Sequence, residues 1–216
     1  MKISHGLLLV CFLAVPLAAQ SQTVSQAEAD AFSARAVGFF SREQFAAKTT
    51  FEAVFGDSFQ RMFGGGALLA QRGVFLEIMV SRFKETGQRA LLLNGETFGL
   101  NIPLTAALTP IEFAVGYRFR RRTSIIPYAG GGLGSYHYTE SSSFSDPGED
   151  VDVRHVGYLA VGGAEVRLHR WVGVAAEVRY THVPGILGVS GLSKDADEND
   201  LGGVAIGVKV IVGTGR

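Results

Sequence analysis

The sequence predicts an all-β fold, an eight-stranded antiparallel up-and-down barrel that crosses a membrane with its strands, behind a signal peptide and a short helical arm. Three observations carry that expectation. Apolar and polar residues alternate along most of residues 48–212. The links between the alternating segments are short and long by turns. The chain opens with the pattern of an export signal.

The alternation is clearest in 171–183, WVGVAAEVRYTHV. Val172, Val174, Ala176, Val178 and Tyr180 share one face of a strand; Gly173, Ala175, Glu177, Arg179 and Thr181 share the other, because successive strand side chains point to opposite sides. A soluble barrel would turn the apolar face inward. A barrel in a bilayer would turn it to lipid and keep the charges in its lumen.

Taken in order, Met1-Lys2, the apolar run 7–15 and Leu17-Ala18-Ala19 read as a secretory signal peptide over 1–19. The run is too short to span about 30 Å of hydrocarbon. Cys11, the only cysteine, lies inside it, so cleavage leaves no disulfide, thiol nucleophile or cysteine metal site. Residues 20–47 form an arm. Its stretch QAEADAFSARAVGFFSREQFAAK is rich in helix formers, with Thr23 or Ser25 as a cap, but Phe32, Val37, Phe39, Phe40 and Phe45 make no single stripe. A short helix or a loosely ordered arm is expected there.

The barrel is expected over 48–212, with 213–216 as a tail. Phe51, Ala53 and Phe55 alternate with Thr50, Glu52 and Val54 as a first strand. Gly64-Gly65-Gly66 leads into a second, over 67–72. Val74, Leu76, Ile78 and Val80 oppose Phe75, Glu77, Met79 and Ser81; then 85–103 breaks the pattern, with Asn94-Gly95 a hairpin-turn signal inside it. Ile111, Phe113, Val115, Tyr117 and Phe119 oppose Glu112, Ala114, Gly116 and Arg118. Tyr128, Gly130, Gly132, Gly134, Tyr136 and Tyr138 share the aromatic face of the next strand. Val156, Tyr158, Ala160, Ala164 and Val166 oppose Leu159, Val161, Glu165 and Arg167. Val204, Ile206, Val208, Val210 and Val212 oppose Gly203, Ala205, Gly207 and Lys209.

The links near 72–73, 120–123 and 168–170 are short, whereas those near 56–61, 85–103, 140–152 and 184–199 are longer. Tight turns therefore fall at one end of a barrel and long loops at the other, as in outer-membrane barrels with periplasmic turns and extracellular loops. No later stretch has about 18 apolar residues in a row, so no helical span is expected. A net charge of zero offers no basic stripe for nucleic acid.

The apolar faces carry no charge in mid-strand, while the opposite faces mix small residues with Glu52, Glu77, Glu112, Arg118, Glu165, Arg167, Glu177, Arg179 and Lys209. These nine are expected to form a lumen charge network, since a charge facing mid-depth lipid costs about 2–4 kcal/mol. An eight-stranded barrel has room inside only for side chains, which argues against a wide pore. Tyr128, Tyr136, Tyr138, Tyr158, Trp171 and Tyr180, near strand ends, are expected in the interfacial girdles. The alternatives are a soluble periplasmic or secreted lipocalin-like barrel holding an apolar ligand, and a lipid-modifying barrel enzyme.

In this pattern over about 48–212, above all TPIEFAVGYRF, IIPYAGGGLGSYHY and WVGVAAEVRYTHV, the chain resembles the small OmpA/OmpX-like outer-membrane β-barrel proteins of Gram-negative bacteria. The resemblance implies a cell outer-membrane location, membrane lipid and lipopolysaccharide as surroundings, the outer-membrane assembly machinery as a partner, and a monomer. Such barrels usually end in an aromatic residue, whereas this sequence ends Val212-Gly213-Thr214-Gly215-Arg216.

Catalytic and cofactor chemistry finds little support. His137, Ser135 and Thr139 share a strand face, but no G-x-S-x-G elbow accompanies them. Asp195-Ala196-Asp197-Glu198-Asn199 starts like a calcium loop, yet has Asp200 at the sixth position and Ile206 at the twelfth, and reads as a solvated acidic loop. Gly64-Gly65-Gly66 and Gly130-Gly131-Gly132 lie in strand patterns and cradle no phosphate. No enzyme activity, cofactor or metal is expected. The expected role is structural or one of surface interaction, through the loops at 85–103, 140–152 and 184–199.

Overall fold

Eight strands, hydrogen-bonded in sequence order and all antiparallel, close on themselves. The computed structural model describes residues 32–119, 124–142, 144, 150–188 and 191–214; the signal peptide expected over 1–19 lies outside them. The strands are β1 (Ser33–Phe45), β2 (Phe59–Gln71), β3 (Val74–Leu93), β4 (Glu96–Arg118), β5 (Ile125–Ser141), β6 (Val151–His169), β7 (Val172–His182) and β8 (Gly203–Thr214). Two helices, α1 (Lys48–Phe55) and α2 (Gly191–Asp195), lie in the connections.

The first strand is not where the alternation placed it. The segment expected as a helical arm contains β1, which pairs with both β2 and β8: Phe39 lies opposite Gly64 on one side and Lys209 on the other. The barrel therefore starts at Ser33 and not at Lys48. In β1 apolar residues occur on both faces, Val37 and Phe39 inward and Phe40 outward, so no two-residue hydrophobic period shows. Closure overrides the helix propensity of its Ala, Arg, Glu and Gln, because an open edge would leave backbone groups unpaired in hydrocarbon. Conversely, the segment expected as the first strand is α1. Phe51 and Val54 are buried three apart, on one helical face, and Gly56 (φ 80°) ends the helix, its N–H donating to the Glu52 carbonyl.

At the short-turn end, Arg72-Gly73 joins β2 to β3 with φ values of 52° and 88°. Asn94-Gly95 repeats this at the tip of β3–β4, with 54° and 83°. Positive φ at both central residues is what a two-residue I′ hairpin turn requires. The excursion expected as a loop over 85–103 is thus a hairpin; β3 and β4 stay paired out to Leu93 and Glu96, with one register shift between Gln88 and Ala90. Beyond the bilayer both sides of a ribbon meet water, so its sequence need not alternate.

The long-loop end is capped by an apolar lid. Phe45, Phe51, Phe83, Leu108, Tyr138, Val183, Ile186 and Leu201 bury against one another across the mouth, with the Phe45 and Phe51 rings stacked at 4.1 Å. Val54 of α1, Leu104 of β4 and Leu192 of α2 form a second, smaller core that ties the helices to the β3–β4 hairpin. α1 has no side-chain cap of its own. Glu198, from the β7–β8 connection, accepts hydrogen bonds from the Thr49 and Thr50 N–H groups, each at 2.8 Å, and from the Thr50 hydroxyl at 2.7 Å. The carboxylate satisfies donors that a helix start leaves unpaired and sits at the positive end of its dipole.

Candidate functional site

Inside the barrel the strand face opposite the apolar one converges on two ionic clusters. In mid-barrel, Arg179 of β7 donates to Glu112 of β4, to Glu77 of β3 at 3.2 Å and to Glu177 at 3.0 Å. Lys209 of β8 bridges both carboxylate oxygens of Glu77, at 2.7 and 2.8 Å, and also donates to Glu177. Two tyrosines complete the acceptors: Tyr128 OH reaches Glu177 and Tyr136 OH reaches Glu112, each at 2.8 Å. Phe39 lies under both cations, 5.2 Å from the Arg179 guanidinium and 5.9 Å from Lys209 Nζ. Toward the short-turn end, Glu165 of β6 accepts from Arg35 of β1 at 2.7 Å and from Arg118 of β4, with Arg167 Nε 3.8 Å away. Each of these four carboxylates meets two or more donors, the condition under which buried ion pairs are tolerated.

Little space is left. A cavity of about 10 Å³ remains beside Ser41, Glu43, Glu112 and Arg179, between the ionic layer and the lid. That is room for one water molecule. Lumen glycines make way for the tyrosines: a Cβ on Gly163 would lie 2.7 Å from the Tyr128 hydroxyl and 2.3 Å from the Ala176 carbonyl oxygen.

The outer wall has the opposite character. Val80, Ile111, Phe113, Val115, Leu133, Val156, Val178, Ile206, Val208 and Val210 are exposed. An apolar belt of this size on a closed barrel, around a charged interior, is the inverse of a soluble protein and needs lipid against it. The lipocalin-like alternative, with its apolar face inside, is contradicted by that arrangement. Among solved structures, the fold is similar to the Neisserial surface protein NspA, with a TM-score of 0.55, 14% identity and coverage of 84% of this chain and 96% of that one.

The chain has the fold of a small eight-stranded outer-membrane β-barrel.

Two further structures that this barrel resembles come from Pseudomonas aeruginosa. The N-terminal barrel domain of OprF has a TM-score of 0.46 at 14% identity, covering 83% of this chain and 96% of that one. The outer membrane protein OprG has 0.47 at 12%, covering 85% and 94%. Comparison of the sequence with protein-family models and with curated proteins gives no match.

Of the nine residues named from sequence, Glu77, Glu112, Arg118, Glu165, Arg167, Glu177, Arg179 and Lys209 lie on the lumen face, in the two clusters above. Glu52 does not. It is exposed on α1 and accepts a hydrogen bond from Ser58 Oγ at 3.0 Å, because the segment that carries it is a helix above the mouth. Sequence reasoning missed Arg35 and Glu43, which share the inward parity of Val37 and Phe39 in β1. Glu43 accepts from Thr181 Oγ1 at 3.2 Å.

The girdle needs a correction as well. Tyr158 and Tyr180 are more than half exposed on the outer wall, as is Trp171 in the β6–β7 turn, but Tyr128, Tyr136 and Tyr138 are buried inside. Glycines share their face on β5, and small residues between aromatics mark the lumen side of a narrow barrel. The acidic stretch expected to be solvated is structural. Besides the helix cap from Glu198, Asp200 Oδ1 accepts from the Val183 and Gly202 N–H groups at 2.7 and 2.8 Å, and Asp200 Oδ2 lies 2.7 Å from His182 Nδ1. His137 Nε2 on the outer wall lies 2.8 Å from Asp152 Oδ1.

Proposed function

We propose that this barrel is a non-conducting, non-enzymatic surface protein whose role, structural or adhesive, is exercised by the platform at its long-loop end. The observation that supports this most is the double seal: an apolar lid stacked on an ionic layer, with one water-sized cavity between them. Conduction needs a continuous wet path, and an eight-stranded lumen filled in this way offers none. The platform is tied down from several sides, by the Glu198 cap on α1 and by the shared core of α1, α2 and the β3–β4 hairpin. Rigid presentation of this kind suits recognition, because ordering costs are met before a partner arrives.

At the outer wall the His137 ring is held by Asp152, with Ser135 two residues before it on the same strand face, and we infer that the pair is structural. Planar-bilayer recording on the folded protein tests the reading. Closed membranes are expected; steady conductance at neutral pH would contradict it. Unchanged lipid A composition in cells carrying His137→Ala, against wild type and a deletion, is the expected result for the absence of lipid chemistry at that site.

A further inference from the structure

Near its long-loop end the outer wall carries a cluster of cations. Arg42 of β1 stands directly opposite Arg61 of β2. Phe63 of β2 stands opposite Arg82 of β3, so the same register brings Lys84 beside Arg61. All four cations are exposed and face outward. Strands in such barrels tilt by about 35–45°, so a row across them climbs, and stepping back two residues from Lys84 brings Arg82 near the height of Arg42. Immediately on the membrane side lie Phe40, Phe63 and Val80, all exposed, with Phe40 and Phe63 paired.

Like charges placed directly opposite on neighbouring strands repel, and their Cβ atoms are only about 5 Å apart. Little in the chain offsets this. Asp57 lies 3.4 Å from Arg42, both groups more than half exposed, and the Arg42 guanidinium sits 5.6 Å from the Phe59 ring. Among the described residues, no carboxylate pairs with Arg61, Arg82 or Lys84. Four cations gathered over three strands, with one weak counter-ion and an apolar surface beneath, match a ligand with anionic groups above acyl chains.

We propose that this row is a binding site for phosphorylated lipid of the outer leaflet. Arg42, Arg61 and Arg82 engage the phosphates bidentately, as planar guanidinium groups favour, and the acyl chains lie along Phe40, Phe63 and Val80. The patch lies at the long-loop end, beyond the apolar belt, which is the headgroup level of the leaflet facing outside. The site goes beyond the surface role proposed above and shares with it only the orientation of the barrel.

Native mass spectrometry of the full-length folded protein in detergent tests the proposal, with diphosphoryl lipid A, phosphatidylglycerol and inorganic phosphate as separate probes. Wild type is expected to retain lipid A in preference to phosphatidylglycerol and to keep it in the presence of inorganic phosphate. Arg61→Gln/Arg82→Gln is expected to bind lipid A about 30-fold more weakly, and Arg154→Gln, on the outer face of β6, as tightly as wild type. Heat-modifiable gel mobility of each sample separates loss of binding from loss of fold. Should the first pair fail to fold, Arg42→Gln/Lys84→Gln is expected to show the same loss. Wild-type binding by a folded row variant, an equal loss in Arg154→Gln, or displacement by inorganic phosphate would overturn the proposal.

Discussion

Arg179 concentrates the electrostatics of the lumen: its guanidinium pairs with all three of Glu77, Glu112 and Glu177. Replacing it with Met leaves Glu112 buried without its cation and Glu77 and Glu177 sharing Lys209, so a cost of about 3–5 kcal/mol is expected. Urea unfolding of the vesicle-embedded barrel measures this. Glu52→Ala, at an exposed position on α1, should stay within about 0.5 kcal/mol of wild type in the same titration. Gly163→Ala is a steric counterpart. Its new methyl must displace either the Ala176 backbone or the Tyr128 ring, so about 1–3 kcal/mol of destabilisation is expected. A substitution at Gly38, whose added Cβ would meet nothing within 4 Å, serves as the control.

At the scale of elements, α1 is held from outside. Glu198→Ala removes the acceptor for three donors at its start and should cost about 1 kcal/mol. The loss should be local: amide exchange across 49–55 speeds up while the β-barrel amides and the heat-modifiable mobility do not change. Faster exchange throughout β1 and β8 would contradict the separation of lid from wall. This element also shows the limits of reading sequence by period. Phe51, Ala53 and Phe55 alternate like a strand, yet Phe51 and Val54 share a helical face, and eight residues are too few to choose between the two periods. Seven of the eight strands were legible because lipid imposes a strict apolar face. β1 was not, because its outward residues include Ala34, Ala36 and Gly38, whose hydrophobic signal is weak, while Val37 and Phe39 point inward. The same strand hid Arg35 and Glu43.

At the scale of the molecule, a closed wall turned apolar side out surrounds two stacked seals, and the long-loop end carries an ordered platform. Inside-outside polarity was legible in 171–183, where Glu177 and Arg179 alternate with Val174 and Val178. The lid was not, because it assembles from Phe45, Phe83, Val183 and Leu201 on elements far apart in sequence. The most direct test of this account is the unfolding free energy of Val178→Arg in phosphatidylcholine vesicles. Val178 is half exposed on the outer wall. Facing lipid, the arginine should cost about 2–4 kcal/mol; stability within about 0.5 kcal/mol of wild type, as for a water-facing position, would contradict it.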